Sequence, residues 1–256
     1  MKNKNGRFPT LLVACVVCAL MAIAGYYIYA NHTYIWFNMD LPSPDAVAAW
    51  PEQQRDDALF RLSHWDGFRS GKQFAQFVRR ELAPLGLNAS DRFHFLEVGM
   101  GVGAFARVVL RDFPHATGVG IDIVPATVEI ARIVLPRGRM DVHVADMTHI
   151  PSPPARFDAV LVPGALCLLF SMDHVRRAVA EFHRVLKPGG GACVSLLPSD
   201  APSAYVGACN VRVPQAFWLD EVAPRYDFTV LAVEDMDGWH LPHSMGRYSV
   251  CLRKKI

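Results

Sequence analysis

The stretch Phe95–Leu110, FLEVGMGVGAFARVVL, decides the fold. It opens on an apolar run typical of a buried strand and ends on apolar residues at helical spacing. Between the two runs stand three glycines at alternate positions, Gly99, Gly101 and Gly103. A strand that enters a helix through such a turn directs backbone N–H groups at a ligand, and glycine lets that ligand lie against the backbone. The stretch therefore predicts a loop that binds a nucleoside-like molecule.

Two classes of cofactor fit this loop equally well. Gly99-x-Gly101-x-x-Ala104 matches the dinucleotide fingerprint, and Asp122 follows Gly101 by 21 residues, where a ribose-binding carboxylate is expected. The fingerprint alone does not separate a nicotinamide cofactor from S-adenosylmethionine. A nicotinamide-dependent oxidoreductase therefore stays open at this point.

Downstream of the loop, short β-rich runs alternate with helical patterns. Predicted strands lie at residues 93–98, 116–122, 141–145, 157–162 and 192–197, and predicted helices at 103–112, 125–135 and 173–186. Such alternation is typical of a parallel sheet with helices on both faces. Two last β-rich runs, 228–236 and 247–253, have no helical pattern between them, which predicts an antiparallel hairpin.

Four features accompany the glycine loop. Glu97 precedes the glycines, Asp146-Met147 closes the third strand, Phe157-Asp158 opens the fourth, and FHRVLKPGGGACVSLL leads into the fifth. With the terminal hairpin, this order resembles the class I S-adenosylmethionine-dependent methyltransferases, in particular the small-molecule branch called type 11. The resemblance covers residues 93–254, and LEVGMGVG and RVLKPGGG are specific in combination.

The sequence departs from this family at two places. Met100 stands where the family usually has a small or polar residue. The stretch VPGALCLL after the fourth strand lacks the elements that would name a substrate class. The resemblance therefore implies a cofactor but no particular methyl acceptor.

The resemblance implies S-adenosylmethionine as cofactor and gives each residue of the loop a role. Glu97 orients the loop and approaches the amino group of the ligand. Gly99, Gly101 and Gly103 pack against its methionine portion. Asp122 accepts hydrogen bonds from both ribose hydroxyls.

Five further residues complete the implied cofactor site. Ile123 covers one face of the adenine, Asp146 accepts a hydrogen bond from the adenine amino group, and the Met147 N–H serves a ring nitrogen. Val162 and Pro163, at the end of the fourth strand, face the sulfonium region. For Asp122 a helix-cap role before Pro125 stays open, and for Asp146 that of a simple loop carboxylate.

Methyl transfer from a sulfonium needs positioning more than covalent help. A general base is required only where the acceptor atom carries a proton that must leave. Candidate bases occur in two stretches, His64–Arg69 and Asp235–His243, and neither pattern singles out one residue. The catalytic residues therefore stay unassigned.

The N-terminal segment predicts a membrane anchor. Leu11–Ala30 holds no charged residue, and its 20 residues match a hydrocarbon core of roughly 30 Å when helical. Lys2, Lys4 and Arg7 precede it, so the positive-inside rule predicts a single-pass protein with a cytosolic N-terminus and a lumenal or extracellular domain. A cleaved signal peptide stays open, because Ala22–Ala24 resembles a cleavage site.

The predicted domains are an N-terminal tail and transmembrane helix (residues 1–30), a connector and cap (31–69) and a methyltransferase domain (70–256). The expected fold is α/β: a Rossmann-like, doubly wound, mostly parallel seven-stranded sheet with a C-terminal antiparallel hairpin, preceded by one transmembrane helix.

Charge and cysteine content exclude other classes. Without the three N-terminal cations, the chain has 23 basic and 24 acidic residues, so no basic patch predicts nucleic-acid binding. The six cysteines lack paired spacing, which favours small core residues over a disulfide framework, and no Cys/His cluster predicts a metal site.

These features predict an S-adenosylmethionine-dependent methyltransferase acting on a small-molecule or lipid-like acceptor near a membrane. The alternatives are the nicotinamide-dependent oxidoreductase and a catalytically silent, membrane-tethered module that only binds a nucleoside. The silent module is disfavoured because Glu97, the three glycines, Asp122 and Asp146 are all present.

Overall fold

Strands and helices alternate along the chain as the sequence predicts. The computed structural model describes residues 41–51, 70–196, 211–235 and 248–256. The strands are β1 (His94–Val98), β2 (Thr117–Asp122), β3 (Met140–Val144), β4 (Phe157–Pro163), β5 (Leu186–Leu196), β6 (Phe228–Asp235) and β7 (Tyr248–Lys254). The helices are α1 (Pro44–Ala48), α2 (Gly71–Leu82), α3 (Ala104–Asp112), α4 (Pro125–Val134), α5 (Met172–Val185) and α6 (Ala223–Arg225), the last preceded by a π-helical turn at Phe217–Val222.

All of these strands form one sheet, in the order β3-β2-β1-β4-β5-β7-β6. Strands β1 to β5 pair in parallel, whereas β7 is antiparallel to both β5 and β6. A Rossmann dinucleotide-binding sheet has the order 3-2-1-4-5-6 and no such inserted strand. The predicted mostly parallel, seven-stranded sheet with an antiparallel hairpin is confirmed.

The strand order reverses between β1 and β4. In open α/β sheets, ligands bind in the crevice beyond the carboxyl ends of the strands at such a reversal. The fold thus directs attention to the segments that follow β1, β2 and β4.

Hydroxyl side chains begin the two longest described helices. Ser70 Oγ accepts the Gln73 N–H, and Ser171 Oγ accepts the His174 N–H, each over 3.3 Å. Such N-caps satisfy one of the backbone donors that a helix start leaves open. Apolar residues at helical spacing then pack on the sheet: Phe74, Phe77, Val78 and Leu82 from α2, and Val175, Ala178, Val179, Phe182 and Val185 from α5.

Strand β5 shows how the two faces of the sheet differ. Ala192, Val194 and Leu196 belong to the same hydrophobic cluster as the buried residues of α5. Ser195, which points to the opposite face, donates a hydrogen bond to Glu81 of α2. Helix α2 therefore covers one face of the sheet and α5 covers the other.

Strand β5 also begins earlier than the sequence predicts. The KPGGG segment, expected as a helix exit, is part of the strand, and Leu186 pairs with Phe157 before a bulge in the ladder. A Cβ on Gly191 would lie 2.4 Å from Leu85 Cδ2. Glycine in this segment therefore lets the turn after α2 pack against the strand.

The cysteine prediction is wrong for Cys193 and Cys251. Cys193 of β5 and Cys251 of β7 lie directly opposite each other and form a disulfide. Both are buried, as expected of core cysteines. Their separation of 58 residues follows from the antiparallel pairing of β5 and β7 and leaves no local spacing signal.

The predicted localisation also requires correction. In the part of the chain that the structure describes, no helix is long and apolar enough to span a bilayer. The longest, α5, has 14 residues, which is about 21 Å of helix against a hydrocarbon core of roughly 30 Å. The predicted span, residues 11–30, lies outside the described residues. The prediction of a single-pass membrane protein with a lumenal or extracellular domain is therefore wrong on this finding.

Candidate active site

The glycine loop is anchored on the last residues of β2. The N–H groups of Gly99 and Met100 both donate to the Ile121 carbonyl, over 2.8 and 3.1 Å. The Gly101 N–H donates to Asp122 Oδ2 over 2.8 Å. These three bonds fix the loop against the carboxyl end of the neighbouring strand.

Each of the three glycines excludes a side chain for a different reason. All have positive φ, between 54° and 84°, a region that side chains disfavour. A Cβ on Gly99 would lie 2.1 Å from Ala165 Cβ, and one on Gly103 would lie 2.8 Å from Leu135 Cδ1. A Cβ on Gly101 meets no described atom within 4 Å. Gly99 and Gly103 therefore serve internal packing, and only Gly101 borders open space.

Asp122 connects the glycine loop with the start of α4. Its Oδ2 accepts the Gly101 N–H and its Oδ1 accepts the Val124 N–H, over 2.8 and 2.9 Å. Burial raises the pKa of this carboxyl, and the N–H groups of Val124 and Gly101 act in the opposite direction. A carboxylate has about four lone-pair positions. The Gly101 and Val124 N–H groups occupy one such position on each oxygen, which leaves one further position on each for Thr127, Ile123 or a ligand.

Glu97 lies beneath the loop with only 1% of its surface exposed. The Ala106 N–H donates to its carboxyl, while Oε2 has no hydrogen-bond partner among the described residues. Burial raises the pKa of Glu97 well above its usual range, and the charge of Asp122 adds to this rise. A buried polar atom without a partner is costly. Glu97 Oε2 is therefore a position at which a bound molecule with a donor group would gain.

The residues expected around the adenine lie at the ends of β2 and β3. Ile123 is 68% exposed, although it is a large apolar residue. Asp146 is exposed and accepts the Thr148 N–H over 2.8 Å, and Met147 packs partly against the core. The Ala145 N–H donates to the Asp122 carbonyl. Asp122, Ile123, Asp146 and Met147 thus all occur at one edge of the sheet.

Val162 and Pro163 end β4 next to this edge. The Val162 side chain is buried in the hydrophobic core, whereas Pro163 is half-buried. The Gly164 N–H then donates to the carbonyls of Val162 and Ser195, over 3.0 and 3.1 Å. These bonds turn the chain toward Ala165, which fills the space left by Gly99.

Two features fit S-adenosylmethionine. A Cβ on Gly101 would enter open space beside the Asp122 carboxyl that its N–H bonds, and Glu97 Oε2 has no hydrogen-bond partner among the described residues. Residues 95–190 match the sequence profile of the family described as "Methyltransferase domain". The matched range contains the glycine loop, Asp122, Asp146 and the end of β4. Residues 95–190 are therefore similar to a methyltransferase domain. S-adenosylmethionine, the cofactor expected from the sequence, is confirmed at the level of this family.

A curated relative of this domain is the demethylmenaquinone methyltransferase of Tropheryma whipplei (strain Twist), 34% identical over 118 residues, which make up 46% of each protein. The chain spans about half the length of the curated relatives it matches. The [4+2]-cyclase SpnF superimposes with a TM-score of 0.60 at 22% identity, over 73% of this chain and 83% of that chain.

A second solved structure was determined with a cofactor. Phosphoethanolamine N-methyltransferase 2 of Haemonchus contortus, in complex with S-adenosyl-L-methionine, superimposes with a TM-score of 0.57 at 17% identity, over 70% of this chain and 52% of that chain. At identities this low, the two superpositions establish a shared fold alone.

The described part of the chain also contains a polar cluster that the sequence does not predict. Trp218 Nε1 donates to the Tyr248 hydroxyl over 3.1 Å, and that hydroxyl donates to the Val213 carbonyl. Trp218 and Tyr248 are almost fully buried, and burial raises the pKa of Tyr248 to about 12. Tyr248 is directly opposite Leu196, at the carboxyl end of β5. These residues are far apart in sequence, so no motif reveals the cluster.

Two regions of the sheet edge are named here for the function proposed below. The glycine loop and the carboxyl ends of β1, β2 and β3 are called the cofactor half. The carboxyl ends of β4 and β5, the start of β7 and the π-helical turn are called the acceptor half. Of the candidate general bases, Asp235 is the last residue of β6. The others, in stretches 64–69 and 237–243, lie outside the described residues, so their place in either half stays a prediction.

Proposed function

We propose that this protein transfers a methyl group from S-adenosylmethionine to a small-molecule acceptor. The observation that carries the proposal is the open space over Gly101, whose N–H bonds the half-buried Asp122 carboxyl at the reversal of the strand order. The family match and the methyltransferase relatives support it.

In the proposed complex, the cofactor half binds and orients the donor. Asp122 would accept hydrogen bonds from the ribose hydroxyls with the acceptor capacity that its two backbone bonds leave. Glu97 Oε2 would accept from a donor of the methionine portion, and Ile123 would cover the adenine. The cofactor supplies an activated methyl group, so the protein needs mainly to align the acceptor and to exclude water.

We further propose that the acceptor is apolar. The chain that follows β4, from Ala165 to Leu169, is apolar, and most of its residues are buried. In the acceptor half, the described polar atoms of Trp218 and Tyr248 are already bonded to each other and to the backbone. Because a relative is named for demethylmenaquinone, a quinone-type ring is the first acceptor class to test.

Cofactor binding tests the first step of the proposal. Calorimetric titration of the purified full chain with S-adenosylhomocysteine should show one site, and titration with NAD should show no binding. Binding of NAD and not of S-adenosylhomocysteine would support the oxidoreductase instead. The inserted antiparallel strand β7 already favours the methyltransferase, because the dinucleotide-binding order lacks it.

Methyl transfer tests the second step. The chain is incubated with S-adenosylmethionine carrying a labelled methyl group and with demethylmenaquinone dispersed in detergent. Label in the extracted quinone fraction is expected, and Asp122→Ala should abolish most of it. A chain that binds the cofactor but labels neither quinones nor a fraction of small apolar metabolites would be the silent binding module.

A further inference from the structure

Met100 departs from the usual small residue of the glycine loop, and the structure shows where its side chain lies. Only 4% of Met100 is exposed. A Cβ built on Gly120 of β2 would lie 2.2 Å from Met100 Sδ and 3.4 Å from its Cγ. The thioether of the loop residue therefore occupies the place of the side chain that β2 lacks at position 120.

The position of Gly120 relates this packing to the cofactor half. Side chains alternate between the faces of a strand, so positions 118, 120 and 122 share one face of β2. Asp122, which accepts the Gly101 N–H, is two residues beyond Gly120. Glu97 is the register partner of Gly120 on β1. Met100 thus enters the sheet on the same face as the Asp122 carboxyl.

Three interactions hold Met100 itself. Its N–H donates to the Ile121 carbonyl over 3.1 Å, and its carbonyl accepts the Gly103 N–H over 3.0 Å. The third is the contact of its side chain with the gap at Gly120. Gly101, whose N–H reaches Asp122, is the next residue in the chain, so a displacement of Met100 moves Gly101 with it.

We infer that Met100 is a positioning residue for cofactor binding: its side chain, inserted into the gap at Gly120, fixes the loop so that Gly101 borders the ligand space and bonds Asp122. The inference rests on the proposed function, because it concerns the same cofactor half. It assigns to Met100 and Gly120 a joint role in setting cofactor affinity, apart from their contribution to the core.

The chain offers a matched control for Gly120. A Cβ on Gly118, on the same face of β2, would lie 2.8 Å from two atoms of Phe95 and 2.9 Å from Met140 Sδ, and none of these three nearest atoms belongs to the loop. Gly118→Ala and Gly120→Ala therefore crowd the same strand, and only the second crowds the loop. Both variants should lower the melting temperature.

The two variants should differ in cofactor binding. Gly120→Ala should weaken S-adenosylhomocysteine binding by about tenfold, comparable to the loss of one hydrogen bond to a charged group. Gly118→Ala should leave the affinity within about twofold of the parent. In Gly120→Ala, the second change Met100→Ala should recover part of the affinity, because it removes the closest atom that the new methyl group meets, Met100 Sδ, and leaves only Met140 Cε at 3.1 Å among the three nearest. Equal losses in the two glycine variants, or no loss in Gly120→Ala, would overturn the inference.

A second readout needs no ligand and covers variants that fold poorly. Amide hydrogen exchange at Gly101 and Gly103 in the ligand-free chain should be faster in Met100→Ala and unchanged in Met100→Leu, which keeps the volume. Exchange that is the same in Met100→Ala and the parent would overturn the inference. If the parent chain binds no S-adenosylhomocysteine, the proposed function fails, and the exchange comparison still decides the role of Met100.

Discussion

The cofactor half and the acceptor half are held together over very different distances along the chain. In the cofactor half, the bond from Gly101 to Asp122 joins residues 21 apart, and that from Asp122 to Val124 joins residues two apart. The acceptor half is tied to distant segments: Ser195 of β5 bonds Glu81 of α2 across 114 residues, and Tyr248 bonds Val213 across 35. One half is therefore a local motif, and the other is a product of the whole fold.

The halves also differ in chemistry. The cofactor half contains two carboxyls whose pKa is raised by burial. The described acceptor half is largely apolar, and its buried Trp218 and Tyr248 bond each other. The difference teaches that stability and cofactor affinity should respond to separate sets of substitutions. Four experiments test that separation.

The largest expected effect concerns the disulfide that joins β5 and β7. Replacing both Cys193 and Cys251 by alanine opens a loop of 58 residues, which should lower the free energy of unfolding by about 4 kcal/mol. Urea denaturation measures this loss. S-adenosylhomocysteine affinity should stay within about twofold of the parent, because the bridge is outside the cofactor half. A parallel loss of affinity would show that the halves are not separable.

Gly101→Ala should have the opposite effect: a large loss of cofactor affinity and a small loss of stability. The new methyl group enters the ligand space, and we expect S-adenosylhomocysteine binding to fall by about a hundredfold. Its matched control is Gly86→Ala, since Gly86 also has positive φ and no described atom within 4 Å of a Cβ. Both changes should cost about 1–2 kcal/mol of stability from backbone strain. Calorimetry that finds the same affinity in both variants would remove Gly101 from the site.

The two aspartates of the cofactor half should contribute unequally to S-adenosylhomocysteine affinity. Asp122→Ala removes a half-buried acceptor and should weaken S-adenosylhomocysteine binding by about tenfold to a hundredfold, that is about 1.5–3 kcal/mol. Asp146 is exposed, so Asp146→Ala should weaken it by less than about tenfold, as for a hydrogen bond that competes with water. Calorimetric titration of the two variants under identical conditions decides their order. The reverse order would assign the ribose to Asp146.

Glu97 should produce the smallest effect, and one that depends on pH. Its raised pKa means that its favourable contribution to stability is complete below the usual carboxyl range and is lost as pH rises through the folded-state pKa. Glu97→Gln escapes this loss, so its melting temperature should rise relative to the parent as pH increases above about 4.3. Melting curves at several pH values give the difference.

Glu181 supplies a control of opposite sign. The Arg184 guanidinium lowers the pKa of Glu181, which therefore stabilises the fold above the usual carboxyl range and loses that contribution as pH falls through its folded-state pKa. Glu181→Gln should melt below the parent at neutral pH and approach it in acid. Parallel curves for the parent and Glu97→Gln would contradict the assigned burial of Glu97.

The comparison of the halves also explains what the sequence could predict. The glycine loop and Asp122 lie within one strand–helix–strand unit, so their spacing alone brings them together. The Cys193–Cys251 disulfide and the Trp218–Tyr248 bond depend on the placement of β7 beside β5, which no local pattern encodes. The sequence also explained only in part why these positions are glycine. Ala165 and Leu135 contact Gly99 and Gly103 through tertiary packing, which the local sequence does not predict.

The position of β7 has a consequence for how the protein is made. Strand β7 follows β6 in the chain, yet it lies between β6 and β5. During synthesis, β6 leaves the ribosome before any strand that it can pair with, and β5 keeps an open edge until Tyr248–Lys254 emerges. An open edge strand is a template for pairing with other chains. A premature stop between residues 236 and 247 would thus deprive the sheet of two strands and leave a nascent chain prone to aggregation.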